Sequence, residues 1–349
     1  MRYQLLGKSG LRVSQLCLGT MTFGDNWGWG ASKEESKKIF EQFVEAGGNF
    51  IDTANRYTEG NSETFLGEFL ASNRQRFVLG TKYSLSVNPD DPNGGGNHRK
   101  SMVQALEASL KRLKTDYVDL YWLHAWDFMT PVEEVMRGLD DLVRAGKILY
   151  IGISDTPAWV ISRANTLAEL QGWTSFMAIQ VQYNLIERTP ERDLVPMAKA
   201  LGLSVTAWSP LAGGLLSGKY GKTGSQNKSS ESRRLDTVPF TELSDRNLSV
   251  AQEVQEIANK LGRTPSAVAL NWLLQKNTIP IIGSRNINQV KDNLGCIDFE
   301  IPADLMHQLD EKTRIDLGFP HEFLRKDNIK EMIFGSTLNS IGAPNRSKN

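Results

Sequence analysis

The chain is short of cysteine, histidine, net charge and long apolar runs, and each shortage excludes something. Two cysteines in 349 residues, Cys17 and Cys296, make no disulfide framework and no metal-ligand spacing. They read as buried thiols in a reducing compartment. Of the four histidines, His98, His307 and His321 show no metal spacing, and no metal is expected. Forty basic residues balance forty acidic ones, so no net field favours nucleic acid or an anionic membrane surface. No uninterrupted apolar stretch approaches the roughly 20 residues that a membrane span needs. The first residues, Met1 to Gly7, lack the apolar core of a secretory signal. The expectation is a soluble, cytoplasmic protein. A Gly-x-Gly-x-x-Gly turn between an early strand and a helix is also missing, which leaves a Rossmann sheet little support.

What is present is an alternation of short apolar runs and amphipathic helical stretches. Gly7-Lys8-Ser9-Gly10 reads as a hairpin turn. After it, Leu16–Leu18 leads through a Gly/Trp-rich loop to a helix at about Lys33–Ala46, and Phe50–Asp52 leads to Ser62–Ala71 with Ser62 as N-cap. Phe77–Thr81 leads through the polar loop Asn88–Asn97 to Arg99–Leu113. Val118–Leu123 leads to Pro131–Ala145, with Pro131 suited to a first helical turn. Ile148–Ile153 precedes Pro157–Leu170, and Ala178–Val181 precedes Asp193–Leu201. Ser204–Ala207 precedes a long loop, then Leu248–Leu261 and Ser266–Leu274; Thr278–Ile282 precedes Asn286–Leu294. Several runs are apolar throughout, as parallel strands buried on both faces require. Eight such units predict a (β/α)8 TIM barrel, an α/β fold that commonly fills about 250 residues or more as one domain. The chain is accordingly read as a single domain over residues 1–349, with an N-terminal β-hairpin and a C-terminal helical extension. Past Pro302 one helix and an extended polar end are expected, with Ala343–Asn349 disordered. Tyr220–Asp245, rich in Gly, Ser and Lys, is too long for an ordinary connector and reads as a lid or a mobile insertion.

In a barrel of this kind the C-terminal strand ends share one face, where reactive groups collect. Asp52, Lys82 and His124 each close an apolar run, and Tyr57 follows Asp52 in its loop. A carboxylate, a phenol, an ammonium and an imidazole would therefore converge. An isolated phenol, with a pKa near 10, is a poor acid-base match to neutral pH. A neighbouring ammonium stabilises the phenolate and lowers that value; Lys82 is placed to do so, with Asp52 holding it. The other strand ends carry Ser154 and Asp155, Gln180, Trp208 and Ser209, and Gly283, Ser284 and Arg285.

These segments carry a resemblance. Gly19-Thr20-Met21, Asp52-Thr53-Ala54 with Tyr57, Ser62-Glu63 with Leu66-Gly67, Thr81-Lys82, Asp119-Leu120-Tyr121 with His124, Gly152-Ile153-Ser154, Trp208-Ser209-Pro210-Leu211 and the Gly283 to Asn293 segment resemble the aldo-keto reductase superfamily. The likeness is to the branch that includes bacterial general reductases and potassium-channel β subunits, and it runs from about residue 3 to residue 314. It implies that Tyr57 donates a proton to a substrate carbonyl oxygen, that His124 orients that oxygen, and that the hydride comes from a nicotinamide cofactor across the barrel mouth. Carried over by position, Ser154, Asp155 and Gln180 would hold the carboxamide and Trp208 would stack on the ring. Ser209, Leu211, Gly213, Leu216, Gly218 and Lys219 would follow the pyrophosphate. Gly283, Ser284 and Arg285 precede the last helix, where Arg285 offers a fork suited to the 2′-phosphate, and Gln289 and Asn293 would face the adenosine. NADP is therefore expected over NAD.

Asp155 stands where the family's usual residue is asparagine; a carboxylate can accept from the carboxamide NH2 but cannot donate to its oxygen. Phe23, Trp27 and Trp29 in the first loop, with Trp126 and Phe128 after His124, either wall an apolar cleft for the substrate or anchor their loops. The expected activity is NADP(H)-dependent reduction of an aldehyde or ketone, with a small-molecule carbonyl as the partner. The alternative is a cofactor-binding regulatory subunit, where slow turnover serves redox sensing. No long N-terminal inactivating segment is evident, which weighs against a channel role. The sequence does not set the oligomeric state.

Overall fold

The computed structural model describes residues 1–219 and 241–342. Its centre is a closed barrel of parallel strands: β3 (Cys17–Gly19), β4 (Phe50–Asp52), β5 (Val78–Tyr83), β6 (Val118–Leu123), β7 (Ile148–Ser154), β8 (Phe176–Gln182), β9 (Ser204–Trp208) and β10 (Thr278–Gly283). They pair in chain order, and β10 closes on β3 with Gly283 opposite Gly19. The register is continuous except for one irregularity between Ile151 and Gly152 where β7 meets β8.

Helices between the strands cover the outside, and their sequence pattern explains which face they bury. In Val132–Arg144, Val132, Val135, Met136, Leu139 and Leu142 fall on one stripe and are buried against the barrel. Glu133 and Glu134 lie in its first turn, where carboxylates suit the exposed N–H groups. Pro131 sits at the N-cap, one residue before the helix proper, where its missing N–H costs nothing. The second helix starts earlier than the sequence suggested. Gly60, at φ 89°, is the N-cap of Asn61–Phe69, so Ser62 lies inside the helix. Its hydroxyl donates to Thr20 O at 2.8 Å and lies 2.9 Å from Thr53 Oγ1. A serine drawn inward by tertiary partners has no local signature that separates it from a cap.

The lower end of the barrel is sealed by the hairpin of β1 (Tyr3–Leu5) and β2 (Arg12–Ser14), which pair antiparallel. Gly7 turns it at φ 57°, and a Cβ there would come within 2.2 Å of Met177 O, so the close approach to β8 requires glycine. Above the hairpin, Leu6 and Val13 join Cys17, Phe50, Val78, Leu120, Trp122, Ala178, Ile279 and Ile281 in one apolar plug. Trp122 lies across two neighbouring strands. A Cβ on Gly152 would meet its ring at 2.3 Å, and one on Gly80 would meet its Nε1 at 2.9 Å.

After β10 the chain departs from the expected extended end. Ala303–Lys312 is the anticipated helix, but His321–Leu324, Asp327–Phe334 and a 3-10 turn at Gly335–Ser340 follow it. The expected lid, Tyr220–Asp245, lies outside the described residues from 220 to 240. Its last residue, Asp245, instead opens the helix Asp245–Leu261, which is capped by Ser244. The tail Ala343–Asn349 also lies outside them. No described helix is long and apolar enough to cross a membrane.

Candidate active site

Side chains alternate along a strand, so Val78, Gly80 and Lys82 share the inward face of β5, and Leu120, Trp122 and His124 continue that of β6. The inward faces therefore change from apolar to polar as the strands rise. Asp52 ends β4, and Lys82 is the penultimate residue of β5, within the strand rather than past it. Lys82 is fully buried, and its ammonium donates to Asp52 Oδ2, to Thr53 O at 2.9 Å and to the Tyr57 hydroxyl at 3.0 Å. Three donors thus meet three acceptors. The second oxygen of Asp52 accepts from Gln180 Nε2 at 3.0 Å. Burial pulls both members of this pair toward neutrality, raising the Asp52 carboxyl and opposing the Lys82 charge. For Lys82 the facing Asp52 and Tyr57 outweigh burial and hold the ammonium above its ordinary value. The pair is accordingly read as an ion pair.

Tyr57 is half-buried, and its loop is tied to the first βα loop. Thr58 and Glu59 follow it at φ 47° and 57°. Thr58 Oγ1 donates to Phe23 O at 2.7 Å, and Glu59 accepts from Trp27 Nε1 at 3.1 Å while pairing with Arg56. The Tyr57 and His124 rings stand edge to face, with centroids 6.0 Å apart. The His124 N–H is held by Tyr83 O and by Ser84 Oγ, each at 3.0 Å. His124 Nδ1 is buried with no hydrogen-bond partner among the described residues. Burial, with the Lys82 charge beside it, pushes the imidazole well below its ordinary 6.5, so it is neutral near pH 7. The arrangement can move a proton at the Tyr57 oxygen and stabilise the charge left there.

On the far rim, Trp208 Nε1 donates to Asp155 Oδ1 at 3.0 Å. The Asp155 backbone, at φ 39°, is pinned from both sides: its N–H donates to Gln180 O and its carbonyl accepts from Trp126 N. Asp155 is exposed as a residue. The surrounding rim nevertheless pushes the carboxyl up, against the Trp208 hydrogen bond and the Lys82 charge. Ser154 Oγ is buried; it acts on the Asp155 carboxylate without closing a hydrogen bond of good geometry.

Ser209, at φ 50°, accepts at Oγ from Gly213 N at 3.1 Å. Leu211 is half-buried, Gly218 and Lys219 are exposed, and the Leu216 side chain belongs to the core. At the end of β10, Gln289 Oε1 accepts from Arg285 N at 2.9 Å. Asn293 Nδ2 lies 3.4 Å from Gly283 O and 3.3 Å from Ser284 Oγ, and Asn286 caps the helix Ile287–Leu294. Gln289 and Asn293 therefore fold the loop that carries Arg285.

Of the aromatic residues, Trp27 and Trp29 pack with centroids 5.7 Å apart, and Trp126 is half-buried against the core. Phe128 stands 71% exposed at φ 56°. Phe23 differs: it has no exposed surface and its ring meets Phe69 edge-on, so it anchors the first loop from below and does not line its open face. The Thr53 carbonyl and Ser84 are site groups that the sequence reading missed. A backbone oxygen carries no residue signature, and Ser84 earns its place through a backbone at φ 94°.

The Aldo/keto reductase family model matches residues 15–314, most of the barrel and its strand ends. The chain belongs to the aldo/keto reductase family. Among its relatives, norsolorinic acid reductase stcV of Emericella nidulans is 39% identical over 90% of this chain and 82% of that protein. Aryl-alcohol dehydrogenase [NADP(+)] of Phanerodontia chrysosporium is 35% identical over 91% and 87%. The putative aryl-alcohol dehydrogenase AAD14 of Saccharomyces cerevisiae is 34% identical over 93% and 90%. Aldo/keto reductases use nicotinamide cofactors, and the rim fits one. The buried Ser154 oxygen lacks a well-formed hydrogen bond, Trp208 offers a flat indole, and a basic loop precedes the helix Ile287–Leu294.

Proposed function

We propose that this aldo/keto reductase is an NADP(H)-dependent enzyme that reduces an aldehyde or ketone, of an aromatic class, to the alcohol. The observation that carries the reading is the Lys82 ammonium bonded at once to Asp52, Thr53 O and the Tyr57 hydroxyl, 3.0 Å away. The bound cofactor supplies a hydride, which no side chain can. Tyr57 gives its proton to the carbonyl oxygen as that oxygen gains charge, and Lys82 offsets the charge left on the phenol oxygen. Asp52 and Thr53 O hold Lys82 in place for this. His124, neutral, aligns the carbonyl oxygen.

Ser154 and Gln180 hold the carboxamide end, and Trp208 lies against the ring. Ser209, Leu211, Gly213, Leu216, Gly218 and Lys219 follow the pyrophosphate, with Leu216 contributing its backbone alone. Arg285, presented by Gln289 and Asn293, takes the 2′-phosphate at a helix N-terminus. The aromatic class is supported by Trp27, Trp126 and Phe128 beside the mouth, with Trp29 buried beneath Trp27 as its packing partner, and by the aryl-alcohol dehydrogenases among the relatives. The relatives' names as reductases and dehydrogenases favour turnover over a redox-sensing subunit. A panel of aliphatic and aromatic carbonyls with NADPH and NADH, followed at the nicotinamide absorbance band, tests the proposal. Tight NADPH binding without oxidation by any carbonyl would overturn it in favour of the sensing role.

A further inference from the structure

We propose that the Asp155 carboxylate tunes the redox bias of the bound nicotinamide, favouring the oxidised ring. This deepens the proposed function and rests on its placement of the nicotinamide beside Trp208. Asp155 and Trp208 lie at the ends of β7 and β9, which flank β8, and their side chains meet through the indole hydrogen bond at 3.0 Å. That bond uses Oδ1. The carboxylate is thus drawn to the indole, the one broad flat surface among these strand-end groups.

The charges around that position do not cancel. Asp52 and Lys82 form a closed pair, His124 is neutral, and Asp155 is left as an acidic group with no cation bonded to it among the described residues. A nicotinamide ring is cationic when oxidised and neutral when reduced. A negative charge beside it stabilises the first over the second, so the bound reduced form gives up its hydride more readily. A carboxylate also accepts from the carboxamide NH2 without offering a donor, which suits a charge role better than an amide-reading one. Trp208, held edge-on by the same carboxylate, fixes the distance over which the charge acts. The backbone of Asp155, pinned at N by Gln180 O and at O by Trp126 N, keeps that distance set.

The test is the ratio of dissociation constants for NADP+ and NADPH, read by intrinsic tryptophan fluorescence at a pH well above the carboxylate range. Asp155→Asn removes the charge and keeps an oxygen for the Trp208 N–H. It should raise the ratio of the NADP+ to the NADPH constant roughly tenfold, a shift within reach of one partly screened unit charge at contact range. Trp208→Phe, read by calorimetry, removes the indole donor and keeps the charge; it should weaken both forms with a much smaller change in ratio. An unchanged ratio in Asp155→Asn, with both forms still bound, would overturn this proposal alone and leave Asp155 as a support for Trp208. Failure of the wild-type chain to bind either form would overturn the cofactor placement, and the proposal with it.

Discussion

At the lower end of the barrel the inward faces of the strands carry Phe50, Val78, Leu120 and Ala178. Further along the same faces they carry Asp52, Lys82, His124 and Gln180. Both ends are tightly buried, Lys82 as completely as Phe50. The lower end is held by apolar contact, where neighbouring shapes matter and direction does not. The upper end is held by directed bonds, in which removal of one partner leaves another buried without its match. The same alternating pattern thus supports a plug that can be judged by volume and a site that must be judged atom by atom.

Tyr57→Phe should separate the two ends most sharply. Carbonyl reduction should fall by about 10²–10⁴-fold or more, because the general acid is lost. NADPH affinity should stay close to wild type, since the ring remains, while stability should fall by about 1–3 kcal/mol because one donor of the buried Lys82 ammonium loses its acceptor. Near-normal turnover on a good substrate at saturating NADPH would remove Tyr57 as proton donor. Next comes a matched pair of buried truncations. Lys82→Met leaves the Asp52 carboxylate buried without its cation and should cost about 3–5 kcal/mol of stability together with a rate loss like that of Tyr57→Phe. Phe50→Ala should cost about 3–5 kcal/mol as well, yet leave turnover per folded molecule little changed. Denaturant melts and active-site titration of both variants check this; a Phe50→Ala enzyme that is stable but inactive would break the comparison.

Arg285→Ala should weaken NADPH by about 1.5–3 kcal/mol, the range for a charge-assisted bond, and NADH far less. Equal weakening of both would show that Arg285 does not read the 2′-phosphate. The smallest effect expected is on acid stability. His124 has a folded value below its unfolded 6.5, so the unfolded chain binds the extra proton first as pH falls. Its contribution is intact above about 6.5 and is lost as pH drops toward the folded value. His124→Gln should flatten that part of the melting-temperature profile. An unchanged profile would mean that the imidazole is not held neutral by its burial.

The strands were legible because parallel strands buried on both faces are apolar throughout, and Asp52, Lys82 and His124 stood out as polar residues ending such runs. The link from Gln180 to Asp52 was not legible: it spans 128 positions and depends on β8 closing round to face β4. Ser62 read as a cap because a cap and a buried serine look alike until Thr20 and Thr53 are in place. The helices beyond Lys312 were hidden for a different cause. Phe319 and Met332 are 83% and 78% exposed, so the pattern that marks a helix by its buried stripe is blurred there. Phe23 stood open between cleft wall and loop anchor because an aromatic loop residue shows its ring partner only in three dimensions.

Trp122 has a consequence for anyone who rebuilds this barrel. Its indole occupies space that Gly80 and Gly152 leave open on the strands to either side. Adding a methyl group at either glycine would force the indole out of its place, in the layer below Lys82 and His124. Replacing Trp122 by a smaller residue would leave a gap that both glycines are too small to fill. The three positions therefore behave as one part with a single permitted shape. A library that varies them one at a time would sample almost nothing but damage, while one that varies them together could lower or raise the floor under a new substrate.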